Sequence, residues 1–181
     1  MTESAHSHGH DADQSYRQLF ERLGKLNIDT QVVAYPAHAT VAEGKALRGR
    51  MGGTFTKNLL LKDKKGRHFL LAIHEDRALD LKTAGNLLGA KGHLSFVAGE
   101  RMSALLGVQP GALTPLGLLH DAMAVVTVVI DASLMAEGQL NFHPLRQTES
   151  VGLAPHELVA FVRSCRREPL IVDFECVPEG A

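Results

Sequence analysis

The sequence predicts an α+β fold: a single domain with a central mixed, mainly antiparallel sheet surrounded by helices. Three observations carry this. Residues 55–62 and 68–73 are strand-like runs joined by the polar turn Asp63-Lys64-Lys65-Gly66, a hairpin pattern. Residues 122–130 are almost all apolar and rich in β-branched side chains, as in a central strand buried on both faces. Helical and strand-like segments mix without the strict alternation that builds purely parallel sheets. With 181 residues, 45% hydrophobic and 22% charged, the chain can bury one full core and has the balance of a soluble globular domain.

The elements follow in order. Residues 1–13 read as a disordered tail with His6, His8 and His10 at alternate positions, and residues 14–176 as the folded domain. Such a tail can bind a metal, although a lone His-rich terminus is commonly incidental. From Gln14 a helical stripe runs through Leu19, Phe20, Leu23 and Leu26. A short strand over 30–35 is closed by Pro36. Thr40 and Glu43 have capping-box spacing and predict a helix to about Arg48, stopped at Gly49. Gly52 and Gly53 precede the hairpin. A helix is expected over 79–88, a strand over 93–97 and a short helix over 98–106 closing at Gly107. Residues 107–117 hold three glycines and two prolines and read as a shaped loop. After the central strand come a helical turn (131–136), two strands (139–143 and 148–153), a helix opened by Pro155 and a last strand (170–174). No repeat or linker divides the chain.

Charge and motifs narrow the function. The formal net charge of −1 argues against a general nucleic-acid coat protein. Residues 45–67 nevertheless carry eight bases against one acid, which suits local contact with a few phosphates or a solvated lysine-rich hairpin. No apolar run approaches the roughly 20 residues of a membrane span, and the polar N-terminus is unlike a signal peptide. A cytoplasmic protein with no membrane partner is expected, with Cys165 and Cys176 as free thiols. Zinc-ligand spacing, a nucleophile elbow, a P-loop and a dinucleotide fingerprint are all missing, so neither a metal nor a cofactor is expected.

Three features could carry chemistry. Strand alternation places Lys57 on one face with Phe55, Leu59 and Leu61. A lysine there either lines a pocket and seeks an anion, or snorkels to water. The loop Gly111-Ala112-Leu113-Thr114-Pro115 could hold backbone N–H groups toward a carbonyl or phosphate oxygen, or simply connect. His143, at a strand end, could donate a hydrogen bond, act as a base or cap the surface.

Residues 52–66, Gly52-Gly53-Thr54-Phe55-Thr56-Lys57-Asn58-Leu59-Leu60-Leu61-Lys62-Asp63-Lys64-Lys65-Gly66, resemble the signature hairpin of the free-standing prolyl-tRNA editing proteins. That superfamily includes the editing insertion domain of bacterial prolyl-tRNA synthetase and the YbaK-type deacylases. The likeness extends over about residues 15–175, through the Gly-x-x-x-Pro loop at 111–115 and Asn141-Phe142-His143-Pro144, and is closest to the branch acting on alanyl-tRNA(Pro). It implies a YbaK-like sheet and trans hydrolysis of mischarged tRNA without metal, cofactor or covalent nucleophile, the neighbouring ribose hydroxyl assisting the water. It makes Lys57 the catalytic residue, holding the terminal phosphate or backbone. Gly111, Ala112, Leu113, Thr114 and Pro115 would present backbone groups to the ester and amine, with Asn58 and His143 orienting the terminal nucleotide or amino acid. Lys45, Arg48, Arg50, Lys64 and Lys65 would meet tRNA phosphates. The implied partners are the tRNA acceptor end and prolyl-tRNA synthetase. The alternatives are the same chemistry on 2-aminobutyrate, Ser, Thr or Cys, or a non-catalytic tRNA- or synthetase-binding module.

Overall fold

A computed structural model describes residues 4–36 and 51–175, with side chains from residue 12 onward. In chain order the elements are α1 (Ser4–Lys25), β1 (Val32–Ala34), β2 (Thr54–Lys62), β3 (His68–His74), α2 (Leu81–Leu87), β4 (Ser95–Phe96), α3 (Gly99–Leu106), β5 (Val126–Asp131), β6 (Leu140–Phe142), β7 (Glu149–Leu153), α4 (Pro155–Ser164) and β8 (Leu170–Val172). Short 3-10 helices cover Pro115–His120 and Ala132–Ala136.

The strands form one sheet in the order β1-β7-β6-β2-β3-β5-β8, with β4 against β2. β1–β7, β6–β7, β2–β3 and β2–β4 are antiparallel, while β2–β6, β3–β5 and β5–β8 are parallel. The α+β architecture read from the sequence is therefore the one observed: a mixed sheet in which antiparallel pairings are the majority.

Alternation along the strands separates two apolar layers. Leu60, Leu70, Val128, Ile130 and Phe142 point to one face, where α1, α3 and α4 contribute Leu19, Leu106 and Phe161. Leu61, Leu71, Ile73 and Val129 point to the other, where α2 and the segment after it contribute Ala84, Leu88 and Leu94. β3 and β5 are buried because both layers close on them, which explains their nearly unbroken apolar runs.

Several expectations are corrected. α1 begins at Ser4, so the backbone of residues 4–13 is helical rather than disordered. Extending a helix already anchored at Leu19 and Leu23 adds one bond per residue without a new nucleus. The central strand begins at Val126, not Ala122. Asp121 accepts from the Val125 and Val126 amides at 3.2 and 2.9 Å, curling residues 122–125 into an exposed turn. The shaped loop ends at Thr114, whose hydroxyl accepts from Leu116 N at 3.3 Å and caps the 3-10 helix starting at Pro115. α2 starts two residues later than expected because the Asp80 carboxylate caps it, accepting from Thr83 N at 2.7 Å. The helix expected from Thr40 to Arg48, together with Cys176, lies outside the described residues. Cys165 is a free thiol, its pKa raised by burial.

Candidate functional site

β2 organises the site. Gly53 precedes it at φ 86°, and a Cβ there would sit 2.9 Å from the Gln139 carbonyl. That close approach lets Thr54 N donate to the same carbonyl at 2.8 Å and starts the parallel pairing Thr54↔Leu140, Phe55↔Asn141. On this edge β4 pairs only with Leu61 and Lys62. Between Phe55 and Leu61 no strand pairs with this edge among the described residues, and among them it is open beside Lys57 and Asn58, Val97 N donating to Leu60 O at 3.0 Å further along.

Lys57 is half-buried on the face of Leu59 and Leu61, as alternation predicts. Its ammonium donates to the Arg77 carbonyl, and no carboxylate among the described residues forms an ion pair with it. His143 follows β6 directly. Continuing the β2–β6 register places His143 level with Lys57 and on the same face. Its Nδ1 lies 2.9 Å from the Glu149 carbonyl and 3.2 Å from Tyr35 Oη. A carbonyl only accepts, so Nδ1 carries a proton toward Glu149. Tyr35 is buried, donates to the Glu149 carbonyl at 3.0 Å and lies 2.8 Å from Ser150 Oγ.

Asn58 points to the opposite face, beside Leu60. Its Nδ2 donates to the Leu113 carbonyl at 3.0 Å, and its buried Oδ1 has no hydrogen-bond partner among the described residues. Gly111 has φ 92°, and a Cβ there would approach the Gln147 amide to 2.9 Å. Ala112, Thr114 and Pro115 are buried, the Ala112 amide bonding Gln109 O at 3.0 Å. The expected constellation is thus divided. Lys57 and His143 share one face, Asn58 and the 111–115 loop the other, and the open edge of β2 runs between them.

Lys64 and Lys65 are exposed at the hairpin tip, far from Lys57. Lys57 to Lys62 alone spans about 17 Å at ~3.3 Å per residue. The buried carboxylate of Asp63 builds that tip, accepting from Lys65 N (2.9 Å), Arg67 N (3.0 Å), Arg67 Nε (2.7 Å) and Lys91 N (3.0 Å). Burial pushes its pKa up, but these donors outweigh burial and hold it well below the usual carboxylate range. They also bring exposed Lys91 to the tip, an addition that sequence distance concealed. Lys45, Arg48 and Arg50 lie outside the described residues.

Sequence reasoning also missed the Tyr35–Glu149–Ser150 cluster behind His143 and the Arg77 carbonyl at Lys57. Tyr35 is one of two tyrosines in a chain without tryptophan, the one signal it offered. A cavity of about 430 Å³ lies between β1, β7 and the start of β6, and one of about 220 Å³ lies where α1 meets the end of α4. Neither is lined by the expected site residues. Among the described residues no group of three His, Cys, Asp or Glu could hold a metal ion, and no helix is long and apolar enough to cross a membrane.

The sequence model of the aminoacyl-tRNA editing domain matches residues 35–161, which hold β2–β7, Lys57, the 111–115 loop and His143. The chain is 34% identical over 161 residues to "Prolyl-tRNA synthetase associated domain-containing protein 1" of Danio rerio, covering 88% of this chain and 87% of that protein. It is 30% identical over 147 residues to "Prolyl-tRNA editing protein ProX" of Acetoanaerobium sticklandii, covering 81% and 89%. A solved structure described as a candidate trans-editing enzyme for prolyl tRNA synthetase has the same fold, with a TM-score of 0.69 at 23% identity, covering 88% of this chain and 95% of that one. The chain therefore belongs to the aminoacyl-tRNA editing domain family.

Proposed function

We propose that this protein hydrolyses the aminoacyl ester of mischarged tRNA in trans, with alanyl-tRNA(Pro) as its preferred substrate. The observation that carries this reading is the half-buried ammonium of Lys57, without a carboxylate partner among the described residues, at the open edge of β2 in a chain of the editing family. Such an ammonium is stabilised by an anion. The terminal phosphate of tRNA supplies one, and so does the ester oxygen as water adds.

In the reaction the hydroxyl of water bonds to the acyl carbon and the remaining proton passes to the departing ribose oxygen. The carbonyl oxygen is negative in between, and preorganised donors lower that barrier. Lys57 holds the terminal phosphate or backbone, and His143 orients the terminal nucleotide from the same face. Asn58 and residues 111–115 meet the ester and amine from the other side of the open edge. Lys64 and Lys65 contact acceptor-stem phosphates, and Lys45, Arg48 and Arg50 are assigned the same role by their charge. The names of the relatives support a tRNA(Pro) substrate and prolyl-tRNA synthetase as a second partner, in the cytoplasm where aminoacyl-tRNA is made. The preference for alanine follows from the likeness to the alanyl-tRNA(Pro) branch.

The test is a panel of tRNA(Pro) charged with alanine, 2-aminobutyrate, serine, threonine, cysteine or proline and incubated with the pure protein. Alanine should be released fastest and proline retained. Faster release of another residue reassigns the substrate, and tRNA binding without any release identifies a non-catalytic module.

A further inference from the structure

Asp131 ends β5 with a fully buried carboxylate that none of the proposed steps uses. Its Oδ1 accepts from Ser133 N at 3.1 Å, and its Oδ2 pairs with Arg77 Nε. The Arg77 side chain is only 14% exposed, and its Nη2 also reaches Glu175 Oε1 at 3.1 Å and Ser133 Oγ at 3.3 Å. One end of this residue is therefore fastened to the end of β5, while its backbone carbonyl is the acceptor for Lys57 Nζ. In the turn after β3 that presents this carbonyl, Glu75 N donates to Phe55 O at 3.1 Å, Asp76 N to His74 Nδ1 at 3.3 Å and Arg77 N to His74 O at 3.0 Å, and the next strand or helix begins at Leu81. A carboxylate removed from water is costly unless it is paired and hydrogen-bonded, and here its partner holds the backbone that aims the lysine.

We propose that Arg77 and Asp131 are positioning residues for Lys57: their buried ion pair fixes the Arg77 carbonyl and thereby points the ammonium at the substrate. The inference rests on the proposed deacylation. Loosening the pair lets the turn after β3 shift, and the lysine then samples directions that miss the developing charge. A purely structural pair would instead lower stability and slow every variant alike.

The test uses Arg77→Lys and Asp131→Asn, each alone and combined with Lys57→Ala, in single-turnover deacylation of alanyl-tRNA(Pro), with urea unfolding as control. Asp131→Asn keeps an acceptor for Ser133 N. Arg77→Lys keeps the charge but not the fork, and covers the case in which the Asn variant does not fold. In the Lys57 background each change should slow the rate roughly ten- to a hundredfold at unchanged KM, the scale on which misplaced groups slow a preorganised site. In the Lys57→Ala background the same changes should slow it no further. Equal losses in both backgrounds, or a folded Arg77→Lys protein with the wild-type rate, overturn the positioning role while leaving the deacylase reading intact. A wild-type protein that releases no amino acid from the panel overturns the proposed function and this inference with it.

Discussion

At the tip of the β2–β3 hairpin the Asp63 carboxylate accepts four hydrogen bonds, from Lys65, Arg67 and Lys91. Near the start of the same strand the Lys57 ammonium has one acceptor among the described residues, the Arg77 carbonyl. Both are charged groups drawn out of water on one hairpin. At the tip the donors saturate the charge, and its effect is a fixed turn. At the other end an ammonium with three donors retains capacity for an incoming anion. Saturation thus separates a charge that builds the fold from the one proposed to meet the substrate.

The largest effect should come from a second saturated charge. Arg167 and Asp121 form a buried ion pair with side chains 6% and 2% exposed, and Arg167 also donates to the Val126 and Cys165 carbonyls. Arg167→Ala should cost about 3–5 kcal/mol of stability by stranding the carboxylate. Urea unfolding measures this, and the remaining folded fraction should deacylate normally. A loss of specific activity beyond the loss of folded protein breaks the distinction drawn here.

Lys57→Ala should do the opposite. Single-turnover deacylation should fall about a hundredfold or more, the scale of losing one contact of about 2.7–4 kcal/mol in a preorganised site. Circular dichroism and the unfolding midpoint should stay near wild type. Lys57→Arg should rescue poorly, because a planar fork replaces a compact ammonium. A folded alanine variant with the wild-type rate would make Lys57 a snorkelling strand residue.

Asp63→Asn tests the tip through pH. Its folded pKa lies below the ordinary value of 3.8, so its contribution is present above about pH 4 and is lost as pH falls toward the folded value. The Asn variant should be less stable than wild type at neutral pH, and the two should converge as the solution is acidified below pH ~4. A constant difference through that range would show that the charge on Asp63 is not what fixes the turn.

The smallest effect is expected from Lys64→Glu with Lys65→Glu. Stability should change by less than about 0.5 kcal/mol, since both side chains are exposed. Affinity for tRNA should weaken, and the slope of log affinity against log salt should flatten by about 2 if each lysine meets one phosphate. Binding curves at several salt concentrations decide this, and an unchanged slope removes the tip from the tRNA surface.

Much of this molecule follows from periodicity and local chemistry. The hairpin and its polar turn, the shared face of Lys57, Leu59 and Leu61, Pro155 in the first turn of α4 and Gly107 closing α3 in the left-handed conformation could all be read from neighbouring residues. Side-chain alternation and capping are set within a few positions along the chain, so the sequence alone determines them. Tertiary structure alone decided the rest. The β2–β6 register brings His143 level with Lys57, Leu113 meets Asn58 across 55 positions, Lys91 joins the tip across 28, and Arg77, whose carbonyl accepts from Lys57, meets Asp131. The strand expected from Ala122 failed for the same reason, since Asp121 is held by Arg167 from beyond α4 and curls the residues that follow it. These contacts join segments whose partners are chosen by how two apolar layers close on one sheet, and no local repeat along the chain records that choice.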